Sequence, residues 1–305
     1  MLIQRITRVL KRYASLPARV YRIQEALGRI EQRQLAQCTD VGQAEFRVFS
    51  QWGEDGIIQH LLAHVAIARR VFVEFGVENY TESNTRFLLS NNQWSGLVID
   101  GSAENIDYIK RDPIYWACNL KAEHSFITCE NINDILARNG ISGDIGLLSV
   151  DIDGNDYWVW QAINSISPRI VVCEYNSHFG AAAEVSTPYD PSFVRDTAHF
   201  SKIYYGASIA ALCSLAAQKG YSLVASNTAG NNLFFTRNDL LGSMRVMSPA
   251  EAYRRAQFRE YHDQAGQLTF DDFDTRLQKI SHLPLYDLKT GGVRKLADIP
   301  GVLPR

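Results

Sequence analysis

The sequence predicts an α/β fold, a mostly parallel sheet of seven strands that finishes in an antiparallel hairpin. Three observations predict it. Compact apolar runs recur between residues 71 and 174 and stop at Gly, Asp or Glu, and strands buried on both faces read as such continuous runs. Amphipathic helical stretches separate them. The last two strand-like runs, 221–225 and 232–236, are joined by the six residues SNTAGN. Six residues cannot hold a crossover helix, so that pair must be antiparallel.

The chain opens on a basic arm. Residues 1–36 carry Arg5, Arg8, Lys11, Arg12, Arg19, Arg22, Arg29 and Arg33 against Glu25 and Glu31, so the arm is +6 and the rest of the chain −8 for a total of −2. Ile3, Ile6, Val9, Leu10 and Tyr13 recur at helical spacing before Pro17, and Val20, Ile23, Leu27 and Ile30 follow as a short heptad-like seam. Two surface helices packed on the body, a homo-oligomerisation helix, or peripheral contact with an anionic membrane surface all satisfy this pattern.

The sheet follows. Val71–Phe75 is the first expected strand, Gly96–Asp100 the second, residues 115–121 a weaker third, Leu147–Asp151 the fourth and Arg169–Glu174 the fifth. Helices are expected over Asn131–Arg138 and Ala207–Lys219, the latter closed by Gly220. Residues 179–206 form a connection far longer than the usual ~2–6 residues and read as a substrate loop or lid. Beyond residue 245 the charged stretches EAYRRAQFREYHD and FDDFDTRLQKI predict a helical extension. The domain division is therefore 1–40 for the arm, 41–245 for the catalytic sheet and 246–305 for a C-terminal cap or tail.

Composition narrows the function. With 305 residues, 46% hydrophobic and 21% charged side chains, the chain has a substantial core and is neither disordered nor a disulfide scaffold. A net charge of −2 gives no global field for nucleic acid. Cys38, Cys118, Cys129, Cys173 and Cys213 show no CxxC spacing, which argues for buried thiols in a reducing compartment and against structural zinc. Charges interrupt the N-terminal apolar residues where a signal peptide needs its run, and no apolar stretch approaches ~18 residues. The expected location is the cytoplasm, with membrane association through the arm as an option.

Ligands of open α/β sheets bind beyond the carboxyl ends of the strands. There the chain places Glu74, Gly76, Glu78 and Asn79 after the first strand, and Asp100, Gly101 and Ser102 after the second. Asp151, Asp153, Asn155 and Asp156 follow the fourth, and Glu174, Asn176 and His178 the fifth. Crowded carboxylates repel unless a cation or hydroxyl donors satisfy them. Gly76 permits close backbone approach, and Asp100 can accept both hydroxyls of a ribose, which suits an adenosine ligand. Asp151, Glu174 and Asn176 are a hard oxygen set for Mg²⁺ or Mn²⁺. The competing reading of DIDGND is an Asx-turn network capping the helix near Tyr157, in which Asp153, Asn155 and Asp156 are caps. The segment lacks the terminal glutamate and helical flanks of an EF-hand. His178, Asp151 and Asp153 are the candidate catalytic groups, with His178 the expected base and His199 a second choice.

The rim motifs resemble the class I S-adenosylmethionine-dependent methyltransferases, in a branch near the FkbM-like and macrocin O-methyltransferase-like families. FSQWGEDGII (49–58), VFVEFGV (71–77), GLVIDGS (96–102), LLSVDIDGNDYWVW (147–160), VVCEYN (171–176) and GNNLFFTRNDL (230–240) carry the resemblance over roughly residues 47–240. It implies a Rossmann-like sheet that binds S-adenosylmethionine, with Glu74 and Gly76 beside the methionine portion, Asp100 on the ribose, and Gly101, Ser102 and Asp151 as further cofactor-binding residues. It also implies Mg²⁺ on Asp151, Glu174 and Asn176 in metal-dependent members, and a hydroxyl of a sugar or glycan precursor as acceptor. The chain departs from the family pattern at Glu78, Asn79 and Tyr80, where further glycines are usual. It departs again at Gly154, where some metal-dependent relatives carry a catalytic lysine.

The first expectation is accordingly an O-methyltransferase on a small-molecule or glycan-precursor substrate. The altered glycine loop motivates a rival, a catalytically inactive protein of the same fold acting as a partner in glycan assembly. A metal-dependent hydrolase on the same rim is the third reading, disfavoured because the chain has no P-loop.

Overall fold

The structure, a computed structural model, describes residues 16–35, 38, 40–259 and 261–302. The expected arm helix over Ile3–Tyr13 lies outside them. The described strands are β1 (Val71–Phe75), β2 (Ser95–Asp100), β3 (Leu120–His124), β4 (Gly143–Val150), β5 (Ile166–Glu174), β6 (Val185–Ser186), β7 (Tyr221–Ser226), β8 (Asn232–Arg237), β9 (Pro284–Asp287) and β10 (Gly292–Lys295). The main sheet runs β3-β2-β1-β4-β5-β8-β7. Its first five strands are parallel, and β8 lies antiparallel to both β5 and β7. This is the mostly parallel, hairpin-terminated Rossmann-like sheet that the apolar runs predict.

Alternation along each strand feeds two cores. Val73, Phe75, Leu97, Ile99, Leu148 and Val171 face one side. There α6 (Ile132–Arg138), α7 (Asp156–Ala162) and α9 (Ile209–Gln218) pack. Phe72, Val98, Leu147, Ile170 and Phe234 face the other. That side is covered by α2 (Glu54–His64), α3 (Arg86–Asn91) and α4 (Ala103–Arg111). α1 (Leu16–Gln34) precedes them, and α5 (Pro113–Ala117) follows α4 with Asp112 capping it by accepting from the Ile114 amide at 2.9 Å.

Three expectations need correction. Residues 115–117 belong to α5, and the third strand starts only at Leu120, because an edge strand with half-exposed LKAEH has no apolar run to announce it. The stretch EAYRRAQFREYHD is helical only at its start, in α10 (Pro249–Ala252). Residues 253–257 spend their polar groups on the body: the Ala256 amide donates to Ser177 Oγ at 3.0 Å and the Gln257 amide to the Ala229 carbonyl at 2.9 Å. The C-terminal extension is not wholly helical either. After α11 (Phe273–Ile280) come β9 and β10, and β9 pairs with β6 from the long loop.

A third core cements this small sheet. Phe179, Val185, Ile203, Tyr204, Leu277, Ile280, Leu285 and Leu296 are buried together. Much of the 179–206 segment is therefore built into a lobe with the tail rather than standing as a loose lid. Its short helix α8 (Arg195–Ala198) brings Arg195 into the wall of a cavity shared with Asp151 and Glu174. Among the described residues, no helix is long and apolar enough to cross a membrane.

Candidate active site

The chain reverses its direction of travel across the sheet between β1 and β4, since β2 and β3 lie to one side of β1 and β4 and β5 to the other. A crevice opens at such a switch point. Gly76 stands there with φ +66°, and a Cβ on it would lie 1.7 Å from the Asp151 carbonyl oxygen. The glycine thus lets the ends of β1 and β4 meet. Two cavities flank the junction. One, of about 190 Å³, is lined by Glu74, Asn84, Asp151, Glu174, Asn231 and Phe258 among others. The second, of about 160 Å³, is lined by Asp100, Gly101, Phe126, Ile127, Ile152 and Phe193. Gly76, Glu78, Asp151 and Asp153 border both.

The loop after β1 keeps an unusual backbone without the expected glycines. Gly76, Glu78 and Tyr80 alternate at φ +66°, +47° and +63°. The two side-chain-bearing residues tolerate a left-handed conformation that costs an L-residue about 1–2 kcal/mol. Asp100 holds the loop by accepting from the Glu78 amide at 2.8 Å on Oδ2. Its Oδ1 takes the Ser102 amide at 2.8 Å and Asn105 Nδ2 at 3.0 Å. Ser102 caps α4 by accepting from the Asn105 amide.

Glu74 is buried and committed to the scaffold as well as to the cavity wall. It accepts the Asn84 amide at 2.8 Å and the Thr85 amide at 3.1 Å, and the Thr85 hydroxyl also donates to it. It so satisfies backbone donors at the start of α3. Burial outweighs these donors and lifts its pKa to about 7.

Asp151, Asp153 and Glu174 converge, each offering an oxygen within 4.8 Å of the others. Burial, then the neighbouring carboxylates of Asp153 and Asp156, drives Asp151 well above the usual range. Glu174 is raised in the same way by burial and by Asp151. Asp151 is half-buried by area, yet it sits at the foot of a cleft where protein crowds out bulk water. Glu174 Oε2 is buried and takes no N–H or hydroxyl donor among the described residues, while Oε1 accepts from Tyr205 Oη at 3.4 Å. Arg195 of α8 donates to Asp153 Oδ1, lies 4.0 Å over the Tyr205 ring and is fixed by donating to the Lys202 carbonyl at 2.8 Å.

DIDGND divides between its two readings. Asp156 accepts the Ile152 amide at 2.7 Å and the Gly154 amide at 2.9 Å, which is the Asx-type network. Asp151 and Asp153 remain in the cavities. Asn176 is not with them. Its Nδ2 donates to the Ile203 and Tyr205 carbonyls at 2.8 and 2.9 Å, and its Oδ1 accepts from the His178 amide and ring, so a fully buried amide has no lone pair to offer a metal.

His178 also faces elsewhere. Its ring stacks on Phe273 at 4.7 Å and lines a separate small cavity beside Arg276. The Asn176 amide orientation puts the ring proton on Nδ1. Burial and the charges of Arg276 and Arg195 push its pKa down to about 3. His199 packs on Phe200, with Nδ1 against Ser201 Oγ at 2.6 Å, and lines neither main cavity.

Sequence reasoning missed Asn231, Asn232 and Phe258, as well as Asn84 just before α3. Asn231 and Asn232 come from the hairpin, and Asn232 Nδ2 and Asn227 Nδ2 both donate to buried Glu54 Oε1, at 2.9 and 2.7 Å. Phe258 of the tail stacks on Trp52 at 5.4 Å and walls the larger cavity. The motifs FSQWGEDGII and GNNLFFTRNDL held the signal for the first two; nothing local marked Phe258. Among the described residues the cysteines are free, and of the five only Cys173 is fully buried.

No family model and no curated protein matches the chain. Several solved structures are similar to it. The N-terminal domain of EvdMO1 with SAH bound is 12% identical with TM-score 0.41, over 68% of this chain and 96% of that one. A S-adenosylmethionine-dependent methyltransferase from Clostridium acetobutylicum ATCC 824 is 10% identical with TM-score 0.39, over 61% and 90%. The O-methyltransferase from Bacillus cereus in complex with SAH is 12% identical with TM-score 0.35, over 55% and 74%. At such values the likeness carries no conclusion about chemistry, which rests on the site itself.

Proposed function

We propose that this chain is an S-adenosylmethionine-dependent O-methyltransferase acting on a hydroxyl of a sugar or glycan precursor. The observation that carries the reading is the pair of cavities meeting at Gly76 and Asp151 at the switch point of the sheet, one bordered by Asp100 and the other by three converging carboxylates. The residues present fit both groups that the fold implies. Gly76, Glu78, Asp100 and Gly101 with apolar Phe126 and Ile127 would hold S-adenosylmethionine. Asp151, Asp153 and Glu174 would hold Mg²⁺ or Mn²⁺, Glu174 Oε2 being a buried acceptor with no N–H or hydroxyl donor among the described residues.

When bound, the cofactor would supply a sulfonium methyl group, transferred to a hydroxyl oxygen as its carbon–sulfur bond breaks and the neutral thioether leaves. The chain's own part is alignment, deprotonation and exclusion of water. Polar Asn84, Asn231, Asn232 and Arg195 in the larger cavity suit an acceptor with several hydroxyls. A carboxylate oxygen of the Asp151–Glu174 pair that the cation does not take accepts the proton of the attacking hydroxyl. Phe258 and Trp52 shield one side.

Calorimetric titration with S-adenosylhomocysteine, with and without Mg²⁺, tests the reading. One site per chain is expected, with more than tenfold weaker binding in Asp100→Ala at an unchanged circular dichroism spectrum. Absence of binding to the folded wild-type chain overturns it.

A further inference from the structure

Helix α1 leaves its apolar stripe in solvent. Leu16, Val20, Ile23, Leu27 and Ile30 are between 41% and 60% exposed, and their 4-3-4-3 spacing puts them on one line of the helix. The body is gripped by the other side. Gly28 is buried so closely that a Cβ would lie 2.5 Å from Val48 Cγ2. Tyr21 packs on the Phe49 ring at 5.9 Å, and Gln32 Nε2 donates to Gln59 Oε1 at 2.7 Å. At 100° per residue these anchors lie about 140° around the helix from the stripe. Docking α1 on its own chain therefore cannot hide those five side chains.

The stripe is a heptad seam, with Val20 and Leu27 at a and Leu16, Ile23 and Ile30 at d. In the sequence the same register continues backward through Tyr13, Val9, Ile6 and Leu2, which lie outside the described residues. Five of these apolar a and d positions, over residues 16–30, lie on α1, and the four before Pro17 repeat the pattern in the sequence. Pro17 falls at an e position in the first turn of α1, where a missing N–H is tolerated, so the stem considered is α1 itself. The charges choose an orientation. Arg5, Arg12, Arg19 and Arg33 occupy g positions, and no e position carries Lys or Arg. Parallel pairing sets g against the partner's e, whereas antiparallel pairing sets arginine against arginine.

We infer that a second copy of this chain covers the seam, forming a parallel two-stranded coiled coil that presents two catalytic bodies from one stem. Light scattering on the full chain should give twice 34.4 kDa. An Ile23→Glu, Leu27→Glu double variant should return to the single mass with an unchanged thermal midpoint. Val20→Cys, at an a position, should cross-link into a covalent dimer under mild oxidation where the wild type does not. A single-chain mass for the wild type overturns the inference, as does a doubled mass that survives the double variant. Failure of Val20→Cys to cross-link in a persisting dimer overturns the parallel arrangement. A single-chain mass with co-flotation on phosphatidylcholine–phosphatidylserine vesicles, lost in the double variant, assigns the seam to a membrane surface instead.

Discussion

Gly76→Ala tests the junction on which the site is built. The new Cβ would lie 1.7 Å from the Asp151 carbonyl oxygen, half of an ordinary contact, and the obstacle is backbone that cannot rotate away. At φ +66° an alanine also carries about 1 kcal/mol or more of left-handed strain. Overpacking of this kind costs about 1–3 kcal/mol, so the combined loss should be at least about 2–4 kcal/mol. That is a large share of the ~5–15 kcal/mol stability of an ordinary domain. Guanidinium unfolding followed by circular dichroism reads the change directly. Glu78→Gly is the paired control, because that residue already sits at φ +47°. Relief of its strain opposes the added entropy of the unfolded chain, and the net change should stay under about 1 kcal/mol. A Gly76→Ala loss below about 1 kcal/mol would refute the argument that β1 and β4 meet through this glycine.

Other predictions concern single groups. Burial lifts Asp55 from 3.8 to about 6 despite the amides of Val48, Phe49 and Ser50 donating to its Oδ2 at 2.7–2.8 Å. The folded carboxyl then holds its proton to a higher pH than the unfolded one, so its contribution to stability falls as pH rises from about 4 through 6, by about 3 kcal/mol. Asp55→Asn keeps an acceptor oxygen and should flatten the unfolding free energy over that window; an undiminished slope contradicts the assignment. Buried Arg86 pairs with Asp112 at 3.0 Å, so Asp112→Ala should cost about 3 kcal/mol in chemical denaturation. A cost under about 1 kcal/mol would show that the Tyr80 carbonyl and the surrounding rings suffice for the guanidinium. In methyl-transfer assays Glu174→Gln should lower turnover about 100-fold or more, and His178→Gln by less than about tenfold. The reverse order would return the base to the histidine.

The sequence by itself determined the central sheet. β1, β2, β4 and β5 are buried on both faces, so their apolar runs are continuous and their ends legible. The six residues SNTAGN between the apolar runs 221–225 and 232–236 forced an antiparallel hairpin. The rim acids Asp100, Asp151 and Glu174 followed at once, since each closes an apolar run at or just past the end of its strand. It also displayed the heptad seam of the arm, because a period of 3.5 is written in the spacing alone.

Other features required partners distant in the chain. β6 has only two residues and pairs with β9 a hundred positions later, so no local pattern could announce the small sheet. Asp153 and Asn176 exchange places in the carboxylate cluster because a lone pair is free only if no donor from another element has taken it. The Ile203 and Tyr205 carbonyls hold the Asn176 amide, and His178 occupies its oxygen. His178 in turn is stacked away from the main cavities by Phe273, a residue of the tail. On α1 the sequence showed which residues are apolar, but only the close approach of Gly28 to Val48 and Phe87 decided that they look outward. Periodicity reports what a segment can bury; which surface it meets is set by steric fit between segments that the order of residues does not contain.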